Sequence, residues 1–147
     1  MHRLSFSMDL SASTSLLWGS LKLFYPDASE PIEYVATSGC AQWQQPGDEW
    51  VRGKGPIPSG FAYKIPTTPY WLETRGIEGY FFHATPDPVS ESGNTRSELG
   101  IHFDANAPGS AGCIVLKNLS GWERFCDRME AIAKLGIKSI PLSVKYR

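Results

Sequence analysis

The chain has 147 residues, of which 41% are hydrophobic and 20% charged, and its 15 acidic and 14 basic side chains leave a formal net charge of −1. That length suits one globular domain, residues 1–147, with a sizeable core. Near-neutral charge without any Lys/Arg run excludes the electrostatic footprint of a nucleic-acid binder. No apolar stretch approaches the ~20 residues that cross a bilayer, so no membrane span is expected.

The N-terminal third reads as β. Leu4 to Met8 and Leu17 to Tyr25 alternate apolar and polar residues on either side of the Ser/Thr-rich Ser11 to Ser15, which predicts two antiparallel strands. Ile32 to Thr37 supplies a third. From Ser38 to Gly60 the glycines and prolines are too dense for regular structure. The run Gly55-Pro56-Ile57-Pro58-Ser59-Gly60 then forms a stiff turn feeding a strand through Tyr63 and Ile65. Tyr70 to Leu72 and Gly79 to Ala84 are aromatic strands, and Thr85 to Ser97 is a polar loop. Near the C-terminus Trp122, Phe125, Met129, Ile132 and Leu135 recur at three-four spacing, the mark of a helix with one apolar face. Ser120 and Glu123 suggest a capping box at its start and Gly136 a stop at its end. Ile140 to Tyr146 alternates as a last strand. A mainly-β domain with one helix packed on the sheet is the expected class.

The chemistry concentrates between Gly100 and Leu116. Gly100 to Asp104 reads as one strand and Cys113 to Leu116 as another, joined by a loop whose Pro108-Gly109 and Ser110-Ala111-Gly112 allow tight folding. A thiolate attacks carbonyls well only when a base or cation keeps it ionised, so a histidine and a cysteine at neighbouring strand ends are the minimum for acyl transfer. His102 and Cys113 meet it. The small-residue loop would let backbone amides around Gly112 and Cys113 form an oxyanion hole. His102 alternates with Ile101 and Phe103, so its ring points away from theirs. Asp104, on the same strand face as His102, is a candidate to orient the imidazole. Arg96 offers a two-pronged guanidinium to a substrate carboxylate, and His83, at the end of an aromatic strand, offers a substrate contact. Asn106 reads as a turn former, His2 as disordered, and Cys40 and Cys126 as unreactive.

His102, Asp104, Cys113 and His83 are each acceptable zinc ligands, but no tight ligand pair is present, and three cysteines make an odd set without metal-like spacing. Neither metal nor cofactor is expected. A free thiol is.

Ser110-Ala111-Gly112-Cys113-Ile114 with upstream His102 resembles the L,D-transpeptidase (YkuD-like) motif, in which a histidine is followed by Ser-His-Gly-Cys and an aliphatic residue. Ile57-Pro58-Ser59-Gly60-Phe61-Ala62-Tyr63-Lys64-Ile65 is similar to that family's proline-glycine signature. Ala111 replaces the motif's second histidine, and the interval 113 − 102 = 11 is short for the family. Ile-His-x-Asp followed by Pro-Gly-Ser-Ala-Gly-Cys-Ile more closely resembles the compact subgroup that includes signal-less type VI secretion effectors. The resemblance implies a β-sandwich-like catalytic fold and acyl transfer on peptidoglycan stem peptides. Cys113 would be nucleophile, His102 base, Asp104 an orienting group, and Arg96, Ser110, Ala111, Gly112 and His83 the substrate contacts. An immunity or delivery protein would be a partner. Met1 to Asp9 lacks the apolar run of a Sec signal, so the expectation is synthesis in the cytoplasm and action in the periplasm or wall after another route of delivery. A non-catalytic wall- or protein-binding module on the same fold is the alternative, suited by five Trp and six Tyr.

Overall fold

Alternation decides which side chains go inside. In the computed structural model, which describes residues 1–105 and 108–147, strand β1 (Arg3–Met8) buries Leu4, Phe6 and Met8, while Arg3 is exposed and Ser5 and Ser7 stay half-buried. The same two-residue period governs β2 (Gly19–Phe24), β4 (Tyr63–Pro66) and β11 (Ser139–Tyr146). Between them in sequence come β3 (Ile32–Ser38), β5 (Tyr70–Leu72), β6 (Gly79–His83), β9 (Gly100–Phe103) and β10 (Ile114–Leu116). The nine strands form one sheet in the order β4-β11-β1-β2-β3-β10-β9-β6-β5. Two pairs are parallel, β1 with β11 and β9 with β10.

The sheet curls until its β4 end approaches β6. Lys64 exchanges two backbone hydrogen bonds with Thr85, just beyond β6, at 2.8 and 3.0 Å. Strand occupies 37% of the chain and helix 13%, so the mainly-β architecture with one helix in the C-terminal half holds. The layers of the expected sandwich are supplied by the curl of one sheet. Helix α1 (Leu119–Lys134) presents Trp122, Phe125, Met129 and Ile132 to the core, and Phe125 meets Tyr34, Phe82 and Trp122 ring to ring at 5.3–5.8 Å. Burying a side chain of that size stabilises by roughly 1.5–3 kcal/mol.

Three local expectations need correction. The helix begins at Leu119 with Asn118 as N-cap and no side-chain cap, so Ser120 and Glu123 do not form a capping box. Burial of Trp122 and Phe125 fixes the first turn instead. The polar loop Thr85 to Ser97 contains a hairpin, β7 (Val89–Glu91) with β8 (Asn94–Arg96), turning through Ser92 and Gly93 at φ 51 and 83. Its strands are too short and polar to show a period, and buried Val89 anchors it. His2 is ordered against Tyr25, with ring centroids 5.1 Å apart. The turn role assigned to Asn106 lies outside the described residues.

Candidate active site

Strand register assembles the site on the sheet face turned away from α1. His102 in β9 is paired with Val115 in β10, and Val115 with Thr37 in β3. On the other side Phe82 pairs with Ile101, which sets Phe81 opposite His102, and Tyr70 pairs with Phe81. Cys113 precedes Val115 by two residues, so alternation returns its side chain to the face of His102. The parallel β9–β10 pair thus brings base and thiol together from the two ends of the loop. Both line a cleft of about 730 Å³ with Tyr70, Phe81, His83, Asp87, Glu98, Ser110 and Ala111.

The protonation states follow from the partners. His102 is 5% exposed, and its Nδ1 lies 2.8 Å from the Phe103 carbonyl oxygen. A carbonyl can only accept, so Nδ1 carries the proton and the neutral ring keeps a lone pair on Nε2. Burial lowers the His102 pKa, against the smaller raising effect of that hydrogen bond, so the imidazole is neutral at pH 7. Burial also pushes the Cys113 thiol up to about 12, although the Gly100 amide and the Arg96 charge pull it down. Sγ donates to the Glu98 carbonyl at 3.5 Å. The resting pair is therefore thiol and neutral imidazole. Burial thus opposes a standing thiolate, and the thiol proton has to leave as the sulfur attacks.

The cysteine loop is braced from below. Ser110 Oγ accepts from the Gly39 and Gly112 amides at 3.1 and 3.3 Å and donates to the Cys113 carbonyl at 2.5 Å. Ser38 Oγ donates to the Gly112 carbonyl at 3.0 Å and accepts from the Ile57 amide at 2.8 Å. Ser110 is thus loop scaffold, with its hydroxyl spent internally. The Gly112 amide, expected as an oxyanion donor, is spent on that hydroxyl. Ala111 keeps its side chain exposed on the cleft and gives its carbonyl to Arg96.

Arg96 is the largest departure from expectation. It is 3% exposed, and its terminal nitrogens donate to the carbonyls of Gly55, Pro56 and Ala111 at 3.1, 3.2 and 2.9 Å and to that of Glu49. The fork expected to take a substrate carboxylate clamps two loops together instead. The buried Gly55–Pro58 turn presents two of these four carbonyls. Gly112, at φ 139, is required beside it, because a Cβ there would stand 2.2 Å from Arg96 Nη2. Asp104 is corrected too. Its Oδ2 accepts from the Gly109 amide at 3.2 Å, while the Phe103 carbonyl orients His102. Burial raises the Asp104 pKa.

No protein-family model matches the chain, and no curated protein sequence does. What the site can do must come from its geometry: a thiol and a neutral base share a cleft large enough for a short peptide, with one buried cation nearby. Among the described residues no three His, Cys, Asp or Glu side chains converge as a metal site.

The cleft keeps the expected His83 and adds Asp87, Glu98 and Arg75, which the sequence did not single out. His83 Nε2 lies 2.6 Å from Asp87 Oδ2, and Asp87 Oδ1 accepts from the Glu98 amide at 3.2 Å. Glu98 holds φ 57, a conformation unusual for a residue with a side chain, and its carbonyl faces the thiol. Arg75, on the loop after β5, lines the cleft, as does Cys40, whose thiol donates to the Ser110 carbonyl at 3.1 Å. The i, i+4 spacing of His83 and Asp87 was visible, but a proline on each side of Asp87 gave it no helix on which that spacing has meaning.

Proposed function

We propose that the protein is a cysteine acyltransferase acting on peptidoglycan stem peptides, as an L,D-transpeptidase, a D-amino-acid exchanger or an L,D-carboxypeptidase. The observation that carries this reading is the shared cleft of Cys113, just ahead of β10, and a His102 on the parallel neighbour β9 whose Nδ1 is held by a backbone carbonyl. His102 Nε2 takes the thiol proton as Sγ attacks the carbonyl of the stem-peptide bond, and returns it to the departing amine. The Arg96 charge favours the developing thiolate. Arg75 takes the substrate-carboxylate role that Arg96 is too buried to play.

The test is incubation with purified tetrapeptide muropeptides and masses read on product and protein. A Cys113-linked acyl adduct, with released D-alanine, exchange product or cross-linked dimer, is the expected result, and Cys113→Ala should give none. If wild type and variant leave the muropeptides equally untouched, the enzyme reading falls.

A binding module is the second reading, favoured by the raised thiol pKa and by exposed Trp71 and Tyr80, which pack edge to face at 5.4 Å on β5 and β6, on the face away from the cleft. Muropeptide binding that survives in Cys113→Ala without turnover in the wild type would select it.

A further inference from the structure

His83 and His102 stand on adjacent strands in one cleft but are held in opposite senses. His102 gives its Nδ1 proton to a carbonyl and keeps Nε2 free. His83 gives its Nε2 proton to the Asp87 carboxylate at 2.6 Å, so Nδ1 is the nitrogen that carries the lone pair in the neutral ring. Asp87 is itself fixed by the Glu98 amide, and the Glu98 carbonyl accepts from Cys113 Sγ. One residue, Glu98, therefore links the His83–Asp87 pair to the thiol, through its amide on one side and its carbonyl on the other. In the register His83 faces Gly100, whose amide draws the Cys113 thiol pKa down against the larger effect of burial. This arm of the cleft is acidic, since Asp87 and Glu98 both line it and their charges raise the Tyr70 hydroxyl after burial has done so.

A protonated amine cannot attack a thioester until it loses a proton. Carboxylates attract such a cation, and a histidine partnered by an aspartate is suited to take its proton. We infer that His83 and Asp87 form a second acid–base pair that binds and deprotonates a primary-ammonium acyl acceptor, an assignment that rests on the acyl-enzyme reading proposed above. The acceptor ammonium gives one proton to His83 Nδ1, and the imidazolium is held by Asp87. The freed lone pair attacks the thioester carbonyl, the C–N bond forms and the C–S bond breaks. The leaving sulfur takes the second amine proton through His102. The products are an amide, the Cys113 thiol, and one proton that His83 passes to solvent. His102 serves the thiol and His83 serves the acceptor.

The experiment uses the full chain, a disaccharide-tetrapeptide donor, and D-methionine or hydroxylamine as acceptor. Intact mass first establishes the acyl adduct on wild-type Cys113; its absence overturns the enzyme reading and this assignment with it. With the adduct present, His83→Gln, which keeps a donor toward Asp87, and Asp87→Asn should slow its formation far less than its resolution. Their resolution by D-methionine should slow by about 100-fold, so that adduct accumulates. Hydroxylamine is largely uncharged at neutral pH and should resolve all three acyl-enzymes alike. A merely structural role would slow acylation and both acceptors together. That result, or unchanged resolution by D-methionine, overturns the inference, as does a wild type that resolves only to water.

Discussion

The two faces of the β6–β9–β10 segment differ by one residue of register and by everything else. One face sends Phe82, Ile101, Ile114 and Leu116 into the core beneath α1. The other sends Phe81, His83, His102 and Cys113 to the cleft. The first face is apolar throughout and its side chains have no chemistry to perform. The second carries two histidines engaged through opposite ring nitrogens and a thiol whose pKa burial raises. A strand's two-residue period is what allows stability and reactivity to be set separately within a few ångströms. Arg96 and Gly112 break the separation, because the loop bearing the thiol is held by a buried guanidinium that also supports the fold.

The sharpest test pairs one change on each face. Phe125→Ala, on the core side, should cost about 3–5 kcal/mol of stability in denaturant unfolding while leaving acyl-enzyme formation per folded molecule intact. His102→Gln should do the reverse, lowering acylation by about 10²–10⁴-fold with little loss of stability. Should both variants lose both properties together, the two faces would not be independent.

Arg96→Lys is expected to cross the divide. Lysine keeps the charge but cannot reach the carbonyls of Glu49, Gly55, Pro56 and Ala111 from one planar fork. Unfolding should show a loss of about 2–4 kcal/mol, and acylation should fall as the cysteine loop loosens. Full stability with reduced substrate affinity would instead restore Arg96 as a substrate contact. Arg75→Ala, by contrast, should leave unfolding unchanged and raise the donor KM by about tenfold, the worth of one exposed charge-assisted contact.

The smallest effect is a pH dependence. Because burial lowers the folded pKa of His102, the unfolded chain binds its proton first on acidification. The stability tied to the neutral ring is present above the unfolded value of about 6.5 and is lost as pH falls through and below it. Urea unfolding at pH 7.5 and 5.5 should therefore show a larger acid loss in wild type than in His102→Gln. An equal loss would mean that the ring is not desolvated.

The sequence by itself determined the strands that alternate, the helix that repeats at three-four spacing, and the joining of His102 to Cys113 by a loop of small residues. These are local patterns, and local sterics and burial suffice to read them. It also placed the His102 ring on the face away from Ile101 and Phe103, since alternation is a property of any strand. Only the tertiary structure decided that Arg96 is a buried clamp and Ser110 a brace, because their partners at Gly39, Glu49 and Gly55 lie 41 to 71 residues away and leave no trace in spacing. The state of the thiol was decided in the same way. A cysteine beside a histidine reads as an ion pair when only chemistry is considered, but the cost of removing charge from water depends on what covers the sulfur, and that is set by strands and loops brought from the whole length of the chain. The His83–Asp87 pair belongs with these, since it acquires meaning only where the curled sheet sets it in the cleft of Cys113.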